Sequence, residues 1–142
     1  MKYKDFLSSL DHCPFCGDLQ REIVSKNNAY LTYCLAPYHK DHLLIIPRRH
    51  IENLEDLTEA EMQDIDHLEK EGTKLLKKLG HESISFLTRE GKSCGKTVGH
   101  MHYHLVPDMP LGPIGLTEDR DLLTDTEISE LVGRMETSLN KN

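Results

Sequence analysis

The chain has 142 residues, with 17 basic and 24 acidic side chains and a formal net charge of −7. That length suits a single domain, residues 1–142, able to bury its own core without a disulfide framework. The acidic balance argues against a nucleic-acid partner, which usually selects a basic stripe, while leaving room for a local basic pocket.

No apolar run approaches the roughly 20 residues of a membrane span. The opening MKYKDFLSSL lacks the apolar stretch of a signal peptide, so a cytoplasmic protein with no membrane partner is expected. In that setting Cys13, Cys16, Cys34 and Cys94 read as thiols or metal ligands rather than bridges.

Residues 3–10 fit a short amphipathic helix with Tyr3, Phe6 and Leu10 on one side. Cys13-Pro14-Phe15-Cys16-Gly17 follows as a compact knuckle. Residues 22–26 and 29–36 read as a hairpin around Lys26-Asn27-Asn28. His42 to Ile46 is nearly all apolar and stops at Pro47, as a buried strand would. A helix is expected over 59–79. Thr58 and Glu61 form a capping box, Leu57 can staple it, and Gly80 sits at the C′ position. Met62, Ile65, Leu68, Leu75, Leu76 and Leu79 share its apolar face, and Gly72 weakens its middle by about 1 kcal/mol relative to alanine. Residues 83–89 alternate as a strand, 90–96 form a loop, and 98–106 alternate again. Pro107 to Gly115 is irregular. A last helix runs from Thr124-Asp125 to near Leu139, with Thr124 and Glu127 as a second capping box.

The 98–106 stretch carries the chemistry. His100, His102 and His104 recur at every second position, with Met101, Tyr103 and Leu105 between them. On a strand the three imidazoles share one face. A strand packed for stability would place β-branched residues there. Adjacent members lie about 6.5 to 7 Å apart and the outer two about 13 Å. Zinc holds nitrogens at about 2.0 to 2.1 Å, so one ion cannot easily take all three. At least one is left to act as a base, acid or nucleophile. The preceding loop, Arg89-Glu90-Gly91-Lys92-Ser93-Cys94-Gly95-Lys96-Thr97, offers backbone N–H groups, hydroxyls and three cations. It can hold an anion, most simply a phosphate, beside the histidines.

Cys13-x-x-Cys16 reads as a redox pair or as half of a zinc site. No βαβ unit follows it, as a thioredoxin-like motif would require. Zinc would need two further ligands. His12, His39, His42, His50, His67, His81 and the first histidine of the triplet are all candidates.

The segment Gly95-Lys96-Thr97-Val98-Gly99-His100-Met101-His102-Tyr103-His104-Leu105-Val106 resembles the motif of the histidine triad (HIT) family. Cys13-Pro14-Phe15-Cys16 and His42-Leu43-Leu44-Ile45-Ile46-Pro47-Arg48-Arg49-His50-Ile51 resemble two further family segments, so the likeness runs over about residues 13 to 108. It implies an α+β fold with an antiparallel sheet, one long helix and a C-terminal helix, commonly assembled as a homodimer. It implies a nucleotide substrate and hydrolysis at the α-phosphate of dinucleoside polyphosphates or nucleoside phosphoramidates. His102 would be the nucleophile that forms a nucleotidyl-histidine. His104 would contact the phosphate, His42 would support the triad, and Thr97 would meet the phosphate or leaving group. Gly95, Lys96, Arg89 and Ser93 belong to the proposed phosphate loop. Zinc-containing relatives imply a structural zinc on Cys13, Cys16, His50 and His100.

Arg89 and Lys96 stand where many relatives have asparagine and glutamine, and the added charge favours a more highly charged substrate. Cys34 aligns with an acidic residue that often holds the ribose. A nucleotide-binding module with little turnover, a phosphorylase or nucleotidyltransferase on the same scaffold, and a metalloenzyme with a catalytic ion at the triad are the competing readings.

Overall fold

The computed structural model describes residues 2–112 and 120–140. Among these residues, five strands form one antiparallel sheet: β1 (Val24–Ser25), β2 (Ala29–Tyr33), β3 (Leu43–Pro47), β4 (Ile84–Thr88) and β5 (Tyr103–Pro107). Their order is β1-β2-β3-β5-β4. The helices are α1 (Tyr3–Ser8), α2 (Glu59–Lys78) and α3 (Asp125–Leu139). The α+β architecture expected from the sequence is the one found. The chain divides into two compact units, Met1–Leu111 and Gly112–Asn142, with the sheet, α1 and α2 in the first and α3 in the second.

Strand alternation sorts the side chains onto two faces. Ala29, Leu31, Leu43, Ile45 and Leu105 meet Ile65, Leu68 and Leu76 of α2, with Ile51, Leu57 and Met101 completing this core. Tyr30, Leu44 and Ile46 point to the other face, where Phe15 and Val98 cover them. Because both faces are covered, β3 is buried along its whole length, which is why its sequence shows no alternation. His104 pairs with Leu44 of β3 and with Leu87 of β4. The last triplet histidine therefore lies in the centre of the sheet, on the face away from α2.

The start of α2 carries the expected capping box: Glu61 N–H donates to Thr58 Oγ1 and Thr58 N–H donates to Glu61 Oε1. Arg49 also donates to Glu61 at 2.7 Å, tying the exit of β3 to the helix start. The apolar face is narrower than expected. Ile65, Leu68 and Leu76 are buried, whereas Met62 and Leu79 are exposed. The buried positions Glu61, Ile65, Leu68, Gly72 and Leu76 form one narrow stripe along the helix, and Met62 and Leu79 fall outside it. Gly72 lies within this stripe. A Cβ there would stand 2.6 Å from Leu105 Cδ2 and 3.4 Å from Leu31 Cδ1. The helical propensity that alanine would restore, about 1 kcal/mol, is therefore outweighed by overpacking, which costs about 1–3 kcal/mol. Gly72→Ala is expected to lower the urea midpoint; an unchanged or raised midpoint would show that Leu105 can retreat.

The expected strand over 98–106 is a strand only from Tyr103. β3 ends at Pro47, and the segment before Tyr103 turns to a different partner: Met101 N–H donates to Ile51 O at 2.6 Å. At Gly99 the Glu52 side chain packs into the space a Cβ would take. The alternation of faces nonetheless persists: Met101 joins Leu105 in the core against α2, while His100 and His102 both meet Phe15 on the other side.

The expected final helix is present, with Thr124 and Glu127 exchanging both capping bonds. Of the irregular stretch expected from Pro107 to Gly115, residues 113–115 lie outside the described residues.

Candidate functional site

The triplet histidines divide between two adjoining clusters. Cys13, Cys16, His50 and His100 form one of them, each offering a donor atom within 4.8 Å of the others. Cys16 Sγ lies 3.1 Å from His50 Nδ1 and 3.5 Å from His100 Nδ1, and Cys13 Sγ lies 3.6 Å from His100 Nδ1. Two ligands on a tetrahedral zinc, at bond lengths near 2.3 Å for sulfur and 2.0–2.1 Å for nitrogen, stand about 3.5 Å apart.

The outer nitrogens are already committed. His100 Nε2–H donates to Pro47 O at 2.6 Å, and His50 Nε2–H donates to Glu52 Oε2 at 3.3 Å. Each ring is thus fixed with its Nδ1 lone pair toward the thiols, the orientation a metal ligand needs. The four residues fit a closed structural metal site. Of the candidates the sequence left open, His12, His39, His42, His67 and His81 are outside it.

The second cluster lines a pocket of about 260 Å³. Its walls include His42, His102, His104, Arg89, Gly95, Lys96 and Thr97. Ser93 lies in the 3₁₀ turn Lys92–Cys94 and is not part of this lining. Tyr3, Phe15, Cys34, Ala36, Tyr38 and Leu44 also line it. Among these, sequence reasoning had singled out Cys34 alone for substrate contact. Tyr3 arrives from α1 and Phe15 from the Cys13–Cys16 knuckle, and the patterns that marked those segments assigned neither side chain to the pocket. A larger groove, of about 700 Å³, lies between Ile23–Val24 and the C-terminal half of α2, away from the histidines.

Partners with fixed roles set the tautomers in the pocket. Tyr38 N–H donates to His42 Nδ1 at 3.2 Å, so the His42 proton sits on Nε2. That nitrogen donates to His104 Nδ1 at 2.9 Å, which leaves the His104 proton on Nε2. His102 is fixed the other way round: its Nδ1–H donates to His100 O at 2.9 Å, leaving a lone pair on Nε2. The rings of His102 and His104 are 5.0 Å apart. One pocket therefore holds a nitrogen lone pair beside an N–H donor. Phe15 lies 5.1 Å from the His102 ring and 5.9 Å from that of His100, so it touches both clusters. Lys96 also lines the pocket, and its Nζ donates to Glu52 O at 3.0 Å.

Burial keeps these imidazoles neutral. It lowers the His102 pKa below the ordinary histidine value, with Lys96 and Arg89 adding to the effect. It brings His42 to about 4 and His104 to about 3, with neighbouring histidines contributing to both. An unfolded chain would bind these protons near pH 6.5, whereas the folded one refuses them until the pH is far lower. Stability is therefore lost as pH falls from about 6.5 toward 4, by about 3 kcal/mol or more for the pair. Urea titrations across that range should show the fall, and His104→Asn should flatten it. An equally steep fall in the variant would place the effect elsewhere.

A model of the HIT domain matches residues 20–111. The chain belongs to the HIT family. It is 30% identical over 100 residues to an adenosine 5'-monophosphoramidase of Schizosaccharomyces pombe, a match covering 67% of this chain and 73% of that one. It is 32% identical over 74 residues to a bis(5'-nucleosyl)-tetraphosphatase of the same organism, covering 51% and 41%. The fold matches that of a histidine triad nucleotide-binding protein from Candida albicans, with a TM-score of 0.76 and 22% identity over 90% of this chain and 97% of that one. The HIT chain thus has hydrolases among its relatives. No helix among its described residues is long and apolar enough to cross a membrane.

Proposed function

We propose that this HIT protein is a nucleotide hydrolase that cleaves at the α-phosphate through a covalent intermediate on His102. The observation that carries the reading is the pairing of opposite tautomers in one pocket. His102 holds an Nε2 lone pair, and His104 holds an Nε2–H backed by His42. In the first step His102 Nε2 attacks the α-phosphorus and an N–P bond forms. The P–O or P–N bond to the leaving group breaks, and the leaving group takes a proton from a pocket hydroxyl or from water. In the second step water attacks the phosphorus, its proton passes to the group that gave one in the first step, the N–P bond breaks with its electrons returning to His102 Nε2, and a nucleoside monophosphate leaves. Splitting one displacement into two lowers each barrier.

His104 Nε2–H, Thr97 and the backbone at Gly95 would bind the phosphate oxygens. Arg89 and Lys96 would offset charge that builds up on them. Cations at the pocket rim suit a polyphosphate leaving group, and the relatives' names supply both candidate classes, phosphoramidates and dinucleoside polyphosphates. The pocket volume is near the lower end for small-ligand sites, about 300–1,000 Å³, so the leaving group would extend outside. Cys34 gives the wall no carboxylate for a ribose.

Cys13, Cys16, His50 and His100 would hold a structural zinc, which supplies rigidity to the knuckle and takes no part in bond making. A homodimer is proposed on family grounds, and light scattering at micromolar concentration tests it.

Intact-mass spectrometry after brief mixing with adenosine 5'-phosphoramidate or diadenosine tetraphosphate tests the mechanism. A nucleotidyl adduct mapped to His102 is the expected result. Tight nucleotide binding with no adduct and no monophosphate released over hours would replace hydrolysis by a binding role.

A further inference from the structure

We propose a second metal site, built from His39, Asp41 and His81, that takes an exchangeable divalent transition-metal ion. It lies outside the thiolate cluster and outside the pocket. One donor atom from each residue lies within 4.8 Å of the other two, and all three are partly exposed, so an ion can reach them. The His39 and His81 rings are 5.2 Å apart, edge to face.

His81 is held as a ligand would be. Its Nδ1–H donates to Asp108 Oδ2 at 2.6 Å, leaving Nε2 directed at Asp41 Oδ2, 2.7 Å away. Asp108 is itself anchored. Its Oδ1 accepts from Glu82 N–H, Ser83 N–H and Ser83 Oγ. Its backbone has φ 52°, the left-handed region that aspartate tolerates better than most residues. A carboxylate behind a histidine is the recurrent support for a metal-bound imidazole.

Two imidazoles and one carboxylate, with no thiolate, suit zinc, cobalt or nickel in a site that keeps positions open to water. The ion would take the place of the proton shared by His81 Nε2 and Asp41 Oδ2, and that proton would go to solvent. His39 Nδ1 accepts Asp41 N–H at 3.0 Å, and ligation would compete with this bond. That competition, and the lack of sulfur, place the affinity below that of the Cys13 cluster and make the ion exchangeable.

The position matters for the pocket. Asp41 precedes His42, and the same loop carries Tyr38, whose ring stacks on His42 at 5.4 Å and whose N–H fixes its tautomer. An ion bridging this loop to His81 would hold that tautomer without touching a substrate.

The test is calorimetric titration of the zinc-loaded protein with cobalt(II), followed by the absorption spectrum. One further equivalent is expected, with cobalt bands that lack thiolate charge transfer. His39→Gln and His81→Gln should each weaken that equivalent at least tenfold, and Cys13→Ser should keep it. His39→Gln leaves the Asp41–His81–Asp108 contacts in place, so it decides the matter even if His81→Gln does not fold. No further equivalent in the parent protein, unchanged binding in His39→Gln, or loss of the equivalent in Cys13→Ser would each overturn the proposal.

Discussion

Replacing His102 with alanine is expected to abolish nucleoside monophosphate release, by about 10³- to 10⁶-fold in kcat, the range over which a nucleophile and its partners act as a unit. His102 carries the Nε2 lone pair in the pocket that its neighbours do not offer. His104 Nδ1 is occupied by the His42 proton, and His100 lies in the other cluster with its Nε2 on Pro47 O. Neither can substitute for it. The loss should not come from unfolding, because the His102 ring lines the pocket and the Phe15 ring it touches keeps its own packing among Tyr30, Leu44, Ile46 and Val98. Among the described residues, the His102 ring makes one hydrogen bond, to His100 O. Circular dichroism and zinc content should match the parent protein. A glycine at the same position leaves room for free imidazole, and added imidazole should restore part of the rate, since it can attack phosphorus from the same place. Retention of near-full activity in His102→Ala would remove the covalent mechanism. An unchanged rate in His104→Ala would remove only the phosphate role given to that residue.

How much of this was legible in the sequence depends on how local each cause is. Both long helices could be bounded from their capping boxes, since Thr58 with Glu61 and Thr124 with Glu127 act within one turn. The existence of β3 and the burial of its whole length were visible in Leu43-Leu44-Ile45-Ile46 before Pro47, though its strand partners were not. The alternation through His100, His102 and His104 was visible too, and it sorted the faces correctly, yet it began the strand too early. Period-2 spacing reports a strand only where a neighbouring strand accepts its ladder. Met101 finds Ile51 instead, and that partner comes from a loop fifty residues away. For the same reason the sequence alone could not choose His50 from seven candidate histidines. The knuckle and its histidines meet only once the sheet is assembled. Nothing in the sequence marks Tyr3, Phe15 or Tyr38 as a pocket wall, although Phe15 lies inside the Cys13–Cys16 motif; they line the pocket because α1, the knuckle and the β2–β3 loop converge on its rim. The hydrogen-bond directions that separate nucleophile from donor are likewise invisible in one dimension, since three identical residues acquire different tautomers from different partners.

Those same long-range contacts define the second large effect, loss of the metal. Cys13→Ser and Cys16→Ser are each expected to abolish tight zinc binding, reduce a stoichiometry of one at this site to zero, and lower Tm by about 10 °C. The figure follows from about 3 kcal/mol of lost stability in a chain of this length. The full binding free energy of a structural zinc, about 10–16 kcal/mol in peptides that fold only with the metal, does not apply. The sheet and α2 have a core of their own, so only the knuckle depends on the ion. That dependence is nonetheless strong. The knuckle has one backbone turn bond, from Cys16 N–H to Cys13 O, and its anchor is Phe15, packed among Tyr30, Leu44, Ile46 and Val98. Without an ion, His100 Nδ1 is a buried lone pair whose neighbours at 3.5 and 3.6 Å are two sulfurs. Activity should fall as well, through Phe15: freed from the metal, its ring no longer holds that of His102, and the pocket loses a wall. The loss should appear mainly in KM, because the lone pair on His102 is set by His100 O rather than by the ion. Metal analysis, calorimetry and kinetics on the same preparations separate the alternatives. A variant that keeps one zinc and its parent Tm would show that the ion is held elsewhere. Loss of zinc from His102→Ala as well would place the ion on the triad and make it catalytic.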